Sequence, residues 1–232
     1  MNKGLVIITG ASQGIGKAMV VKFISEGFDV VGCARNSDRL SLIGEELCHL
    51  PGSLITKIVD MSVKEEVIGF GKFILSLDTP IAVLINNVGT FIPGNLIDEE
   101  DGQLEKQIET NLFSAYYLTR TIVKKMIDRK SGSIFNICSI AGKAPYANCG
   151  SYSISKYALL GFSHNLREEL KDHGISVTAV TPGRVLTPSW GETDLPPYTF
   201  IKSEDVAKAV FDVSQLSSNS VVEEILIQPQ FK

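Results

Sequence analysis

The chain has 232 residues, 44% of them hydrophobic, and a formal net charge of −4. Such a length suits one α/β domain with an ample core. With 22 basic residues against 26 acidic ones and no basic cluster, the charge balance argues against nucleic acid as a main partner.

Strand and helix signals alternate along the chain. Met1-Asn2-Lys3-Gly4 leads into the continuous apolar run Leu5 to Thr9, the pattern of a strand buried on both faces. That run is too short for a signal-peptide core or a membrane span, so no membrane partner and a cytoplasmic location are expected. Gly14 to Glu26 reads as a helix with Ile15, Met19, Val20 and Phe23 on one face and Gly27 beyond its end. A strand over Asp29 to Ala34, a helix over Ser37 to Leu50 and a strand over Leu54 to Val59 follow. Val63 to Leu77 is a helix and Ile81 to Ile85 a strand; Gln103 to Arg129 reads as one long helix. Ser133 to Cys138 is the fifth strand. The helix carrying Tyr152 and Lys156 runs to about His173, before Gly174. Ile175 to Val180, the helix Ser203 to Gln215 and a last strand Val221 to Ile227 complete the series. No linker, repeat or low-complexity segment divides it, so residues 1–232 are read as one domain. The alternation implies right-handed crossovers and a parallel sheet covered on both faces. Ligands of such sheets bind at the carboxyl ends of the strands, near the reversal of strand order.

The unusual residues cluster at those ends. Thr9-Gly10-Ala11-Ser12-Gln13-Gly14-Ile15-Gly16 joins the first strand to the first helix. Its glycines allow close backbone approach, and the following helix N-terminus favours a pyrophosphate. The second strand ends in Cys33-Ala34-Arg35-Asn36. An acidic residue there binds a ribose 2′-hydroxyl, whereas an arginine accommodates a 2′-phosphate; Ala34 and Arg35 therefore favour NADP over NAD. Asp60, beside Met61, is suited either to accept from an adenine amino group or to cap the next helix. Asn86-Asn87-Val88-Gly89 offers amide hydrogen bonds at a strand end, or forms a plain turn. Tyr152 and Lys156, four apart on one helical face, form a phenol–ammonium pair in which the lysine is expected to lower the phenol's pKa. The four cysteines (33, 48, 138 and 149) lie at no zinc-ligand spacing with His49, His164 or His173 and read as free, mostly buried thiols, with Cys138 and Cys149 as packing residues; no metal is expected.

Taken together, Thr9 to Gly16, Asn86 to Gly89, Asn111, Ser139, Tyr152 with Lys156, and Pro182-Gly183 with Thr187 occur in the order and approximate spacing of the short-chain dehydrogenase/reductase family. The chain resembles that family over essentially its whole length. Val88, where the family usually has alanine, is the one mild departure. The resemblance implies a doubly wound Rossmann fold with seven parallel strands in the order 3-2-1-4-5-6-7. It implies an NADP-dependent oxidoreductase that moves a hydride between nicotinamide and a small carbonyl or alcohol substrate. Ser139 would hydrogen-bond the substrate oxygen and Tyr152 would protonate it. Lys156 would tune Tyr152 and hold the nicotinamide ribose; Asn111 would bind a water linking Lys156 to solvent. Gly10, Ser12, Gln13, Gly14, Ile15, Gly16, Arg35, Asn36, Asp60, Met61, Asn87, Val88 and Gly89 would line the cofactor. Pro182, Gly183, Val185 and Thr187 would hold its nicotinamide end. The family's dimers and tetramers form through the two long helices, and Phe113, Tyr116, Tyr117, Leu159, Leu160 and Phe162 supply apolar surface for a homodimer or homotetramer.

Residues 188–202 form a short substrate loop. Trp190 in it suits either stacking on a substrate or packing the loop down. Thr187 to Gly191 with Val221 to Pro229 looks like sepiapterin-reductase-like members, and like β-ketoacyl-acyl-carrier-protein-reductase-like ones; Glu192 and Asp194 are the candidate pterin ligands. A non-catalytic dinucleotide-binding regulatory protein on the same fold is the alternative.

Overall fold

A computed structural model describes residues 3–190 and 193–231. Its seven strands are β1 (Leu5–Thr9), β2 (Asp29–Ala34), β3 (Leu54–Ile58), β4 (Ile81–Asn86), β5 (Gly132–Ile137), β6 (Ile175–Pro182) and β7 (Glu224–Ile227). All pair in parallel in the order β3-β2-β1-β4-β5-β6-β7. The chain winds outward from β1 in one direction and from β4 in the other, so the reversal of strand order lies between them.

Side-chain alternation along β1 assigns the two faces. Val6 and Ile8 join the core under α1 (Gly14–Ser25), α2 (Ser37–Leu47) and α7 (Ser203–Ser214), with Met19, Phe23, Leu40 and Val210. Leu5 and Ile7 join the core under α3 (Lys64–Ser76), α5 (Ser114–Arg129) and α6 (Gly150–Leu170), with Phe70, Ile74, Ile122 and Leu166. Phe23, Phe28 and Phe211 pack edge to face, with centroids 5.3–6.1 Å apart, and lock α1 against α7. Gly71 lets α3 approach α5: a side chain there would begin 2.5 Å from Thr121 Cγ2.

The single long helix expected over Gln103 to Arg129 is instead α4 (Gln103–Ile108), a π-helical turn (Glu109–Phe113) and α5. The Ser114 amide donates to Glu109 O, five residues back. β7 begins at Glu224 rather than Val221; before it, the Thr178 hydroxyl bonds Val222 O at 2.6 Å, a side-chain bond where a ladder bond was expected. Helix α2 stops at Leu47 rather than Leu50, and α6 passes at Leu170 into a 3₁₀ turn, Lys171–His173. Among the described residues, no helix is long and apolar enough to cross a membrane, and no three His, Cys, Asp or Glu residues are placed to hold a metal ion.

Candidate active site

The glycine turn lies at the reversal of strand order. Gly10 and Gly14 have φ of +66° and +53°, which glycine adopts freely. Gly16 is packed hardest: a Cβ there would stand 2.0 Å from Gly10 O and 2.6 Å from Asn87 Nδ2. Asn87 Nδ2 donates to Thr9 O at 2.8 Å and to Gly10 O at 3.3 Å, while the Asn87 and Val88 amides both donate to Thr9 Oγ1. These groups, expected at the cofactor, are engaged in clamping β4 to the turn. Helix α1 has no side-chain cap at Gln13 and no acidic residue in its first turn. Its leading amides and dipole therefore suit an external anion, and the residues present fit the pyrophosphate of a dinucleotide. Ser12 and Ile15 are half-buried on this turn.

At the end of β2, Arg35 is exposed and its Nη1 lies 3.9 Å from Asp60 Oδ2. Asp60 does not cap α3, whose N-cap is Val63; its Oδ1 accepts from the Ser62 amide and hydroxyl at 2.9 and 2.7 Å. Burial works against the Asp60 carboxylate, but the Ser62 bonds and Arg35 outweigh it and hold its pKa below the ordinary value. Met61 is buried in the core. The Asn36 side chain caps α2 by accepting from the Arg39 amide at 2.8 Å, which uses its oxygen and leaves the Nδ2 donor. Arg39, which the sequence reading missed, donates from its guanidinium to Gln13 Oε1.

The segment after β6 returns to the same place. Thr187 Cγ2 lies 3.1 Å from where a Gly14 side chain would begin. Pro182 closes β6 against Ile227, and the Gly183 amide is taken by Ile227 O at 2.8 Å. Val185 is buried; Arg184 O and the Leu186 amide bond Ile201, so the Val185 amide and carbonyl face the opposite edge.

Ser139, just past β5, opens a 3₁₀ turn in which its Oγ accepts from the Ala141 amide at 3.1 Å. A side-chain hydrogen bond joins its hydroxyl to the Tyr152 phenol. Gly142 seats this turn on α6, since a Cβ there would lie 2.7 Å from Lys156 O. Tyr152 stacks edge to face on Phe91, centroids 4.9 Å apart. Lys156 is buried; its Nζ donates to Ile137 O at 2.9 Å and lies 5.8 Å from the Tyr152 ring centroid. Asn111, buried in the π turn, accepts at Oδ1 from the Thr90 amide (2.7 Å). Its Nδ2 donates to Thr90 O (3.0 Å) and Ser155 Oγ (2.8 Å). This clamp holds the segment after β4 against α6 at the π turn, a helix irregularity of the kind that recurs at functional sites. A Gly89 side chain would begin 3.2 Å from Lys156 Nζ and 3.3 Å from Asn111 Oδ1, so glycine there lets both groups pack close to the backbone after β4.

The electrostatics differ from expectation. Burial pushes the Tyr152 phenol up to about 12, with the Ser139 hydroxyl pulling against it. Burial pushes the Lys156 ammonium down to about 8. The lysine was expected to lower the phenol's pKa. Desolvation wins because Lys156 Nζ is turned to a backbone carbonyl and its own charge is disfavoured. Desolvation likewise holds the Cys33 and Cys138 thiols up at about 12 and 11, which suits packing rather than nucleophilic roles. Cys149 is half-buried and Cys48 exposed. Trp190 packs edge to face on Phe200 with centroids 5.0 Å apart, a contact between two residues of the loop. Asp194 is exposed; Gly191 and Glu192 lie outside the described residues.

A Rossmann sheet with an anion-receptive glycine turn, and a serine, a tyrosine and a lysine converging beside it, defines a dinucleotide-dependent oxidoreductase. The chain belongs to the short-chain dehydrogenase family, whose model matches residues 4–196. An uncharacterized oxidoreductase of Staphylococcus saprophyticus is 29% identical over 226 residues, covering 97% of each chain. Another, from Bacillus subtilis, is 31% identical over 209 residues, covering 89% of this chain and 74% of its own. Among solved structures, a metagenomic short-chain oxidoreductase in complex with NADP superposes with a TM-score of 0.87 at 30% identity, covering 100% and 99% of the two chains. The closed form of a serine dehydrogenase complexed with NADP+ gives 0.86 at 27%, covering 97% and 94%.

Proposed function

We propose that the protein is an NADP(H)-dependent carbonyl reductase in which Ser139 and Tyr152 act on the substrate oxygen. The observation that carries this reading is the convergence of Ser139, Tyr152 and Lys156 at the ends of β5 and α6, beside the glycine turn. NADPH, when bound, supplies the hydride. Ser139 donates a hydrogen bond to the substrate oxygen as negative charge grows there. Tyr152 then passes its phenolic proton to that oxygen. A phenol held at about 12 is protonated at neutral pH and so carries the proton to be given, but burial makes it a weaker acid than a free tyrosine, and stabilisation of its phenolate must come from its neighbours. Lys156 holds the nicotinamide ribose and, as an ammonium, favours the phenolate that Tyr152 becomes. Asn111, buried close to Lys156 and Gly89, would bind a water that returns protons from solvent to Lys156. A diketone, a 3-ketoacyl thioester or a sepiapterin-like compound fits this chemistry as substrate. The test is NADPH oxidation followed optically against diketones, quinones, acetoacetyl thioesters and sepiapterin. Turnover on none of them, with NADPH still bound, would favour the non-catalytic regulatory reading.

The Lys156 value sets the pH dependence. The ammonium loses its proton as pH rises through about 8, while Tyr152 stays protonated to about 12. Reduction is therefore expected to lose kcat/KM above about pH 8, and Lys156→Met should remove that break. A wild-type profile flat through this region would show that the lysine's charge does not matter to the rate.

The protein is further expected to self-associate. Phe113, Tyr116, Tyr117 and Phe162 form an aromatic ribbon across the π turn, α5 and α6, with centroids 5.4–6.0 Å apart. Phe113, Ile154 and Tyr157 are 40–46% exposed. Leu159 drops out of this surface because it is buried within its own chain. Such a patch favours burial against a partner, and a dimer or tetramer is expected by light scattering at micromolar concentration; a monomer would count against it.

A further inference from the structure

The segment after β4 carries its backbone bonds on alternate residues. The Thr90 amide and carbonyl are both taken by the Asn111 carboxamide. Two residues on, the Ile92 amide donates to Gln107 Oε1 at 3.1 Å, and Gln107 Nε2 donates to Ile92 O at 3.5 Å. Two further on, the Gly94 amide donates to Asn148 O at 3.1 Å, and Gly94 O accepts from the Gly150 amide at 2.9 Å. Phe91, between the two carboxamide clamps, has no backbone bond among the described residues, and its ring is the one stacked on Tyr152. Gln107 and Asn111 are four apart, in α4 and in the π turn that continues it, so their carboxamides reach the same segment. Gln107 is fully buried. An apolar side chain would fill its place without cost, whereas a buried carboxamide must have its groups bonded. Gln107 uses both of its groups on one backbone residue of another segment, so the carboxamide serves that segment and not α4.

We propose that Gln107 is a positioning residue for the reaction: it fixes Ile92 so that Phe91 is held against the ring of Tyr152. This rests on the reading of Tyr152 as proton donor. Clamps on both neighbours of Phe91 leave its backbone little room to slide or turn. The Tyr152 phenol must meet the substrate oxygen while bonded to the Ser139 hydroxyl, and the Phe91 ring backs it at 4.9 Å with the planes at 71°. Aromatic pairs of this geometry gain more than their buried area alone supplies. The same segment is tied at Gly94 to Gly150, two residues before Tyr152 on α6, so the phenol and the ring behind it share one frame. If the clamp at Ile92 is lost, the wall behind the phenol yields. A misplacement of about 1 Å is enough to cost about a hundredfold in rate.

The test is a double-mutant cycle read by kcat on the best substrate of the panel, NADPH affinity and thermal melting. Gln107→Met keeps the length and bulk of the side chain and removes both bonds to Ile92. It is expected to lower kcat about tenfold to a hundredfold. NADPH affinity should stay within about twofold, because Asn111 still holds Thr90, nearer the glycine turn. Gln107→Glu keeps an acceptor for the Ile92 amide and should recover part of the loss; if Gln107→Met does not fold, Gln107→Glu takes its place in the cycle. Phe91→Ala should lower kcat by itself. Adding Gln107→Met to it should cost no more than about threefold further, since residues that act as a unit are not additive. Unchanged kcat in Gln107→Met with a lowered melting temperature would make Gln107 a packing residue and overturn the proposal. Losses of kcat that multiply across the two positions overturn it too, as does a loss of NADPH affinity equal to that of kcat. A wild type that binds NADPH and turns over none of the panel removes the reductase reading, and this inference with it.

Discussion

Tyr152→Phe is expected to lower kcat for carbonyl reduction by about two to four orders of magnitude, the usual contribution of a positioned general acid. The substitution removes one oxygen and keeps the ring. The edge-to-face contact with Phe91 at 4.9 Å survives, so the fold of α6 and the place of Lys156 should not change. NADPH affinity should stay close to wild type, because the phenylalanine removes at most one hydrogen bond to the ribose. The measurement is kcat on the best substrate of the panel, beside NADPH affinity from fluorescence titration. Near wild-type kcat with intact binding would remove Tyr152 from proton donation. A joint loss of kcat and binding would instead mean that the tyrosine shapes the cofactor site. Ser139→Ala is less clean as a test, since Oγ also closes the 3₁₀ turn by accepting from the Ala141 amide.

Gly16→Ala is expected to be the most damaging single-methyl substitution in the cofactor site. Its Cβ would fall 2.0 Å from Gly10 O, a backbone atom that cannot swing aside, and 2.6 Å from the Asn87 amide that clamps the turn. To make room, the turn or the start of α1 must move by about an ångström. Overpacking of this kind costs about 1–3 kcal/mol, occasionally more. In a chain of this length, about 3 kcal/mol lowers the melting temperature by about 6–12 °C. The displaced turn should also lose most of its dinucleotide affinity. Gly69→Ala is the control. That glycine lies within α3 with nothing within 4 Å of a new Cβ, so alanine there should be neutral or stabilise by up to about 1 kcal/mol. Thermal melts with and without NADPH read both effects. A Gly16→Ala protein that melts like wild type and gains the same shift from NADPH would show that the turn has slack the structure does not suggest.

Both expectations begin from features legible in the sequence. The unbroken apolar run of β1, the helical faces of α1 and α7 and the glycines of the turn are local patterns, set by side-chain periodicity and by backbone angles. The order of the strands and the partnership of Ser139, Tyr152 and Lys156 were legible through resemblance to a family. Only the tertiary structure decided the rest, because the rest depends on groups far apart in the chain. The π turn at Asn111 breaks a helix that periodicity would run straight through, and the residues clamping it, Thr90 and Ser155, lie 21 and 44 positions away. The bond from Arg39 to Gln13 exists only because β2 pairs with β1 and brings α2 to the glycine turn. Asn87 looked free to meet a ligand, but its amide was needed where β4 meets that turn. The spacing of Tyr152 and Lys156 is a fact of sequence. Their pKa values are facts of burial, and burial is not a property of five residues in a row but of the sheet and helices that close over them.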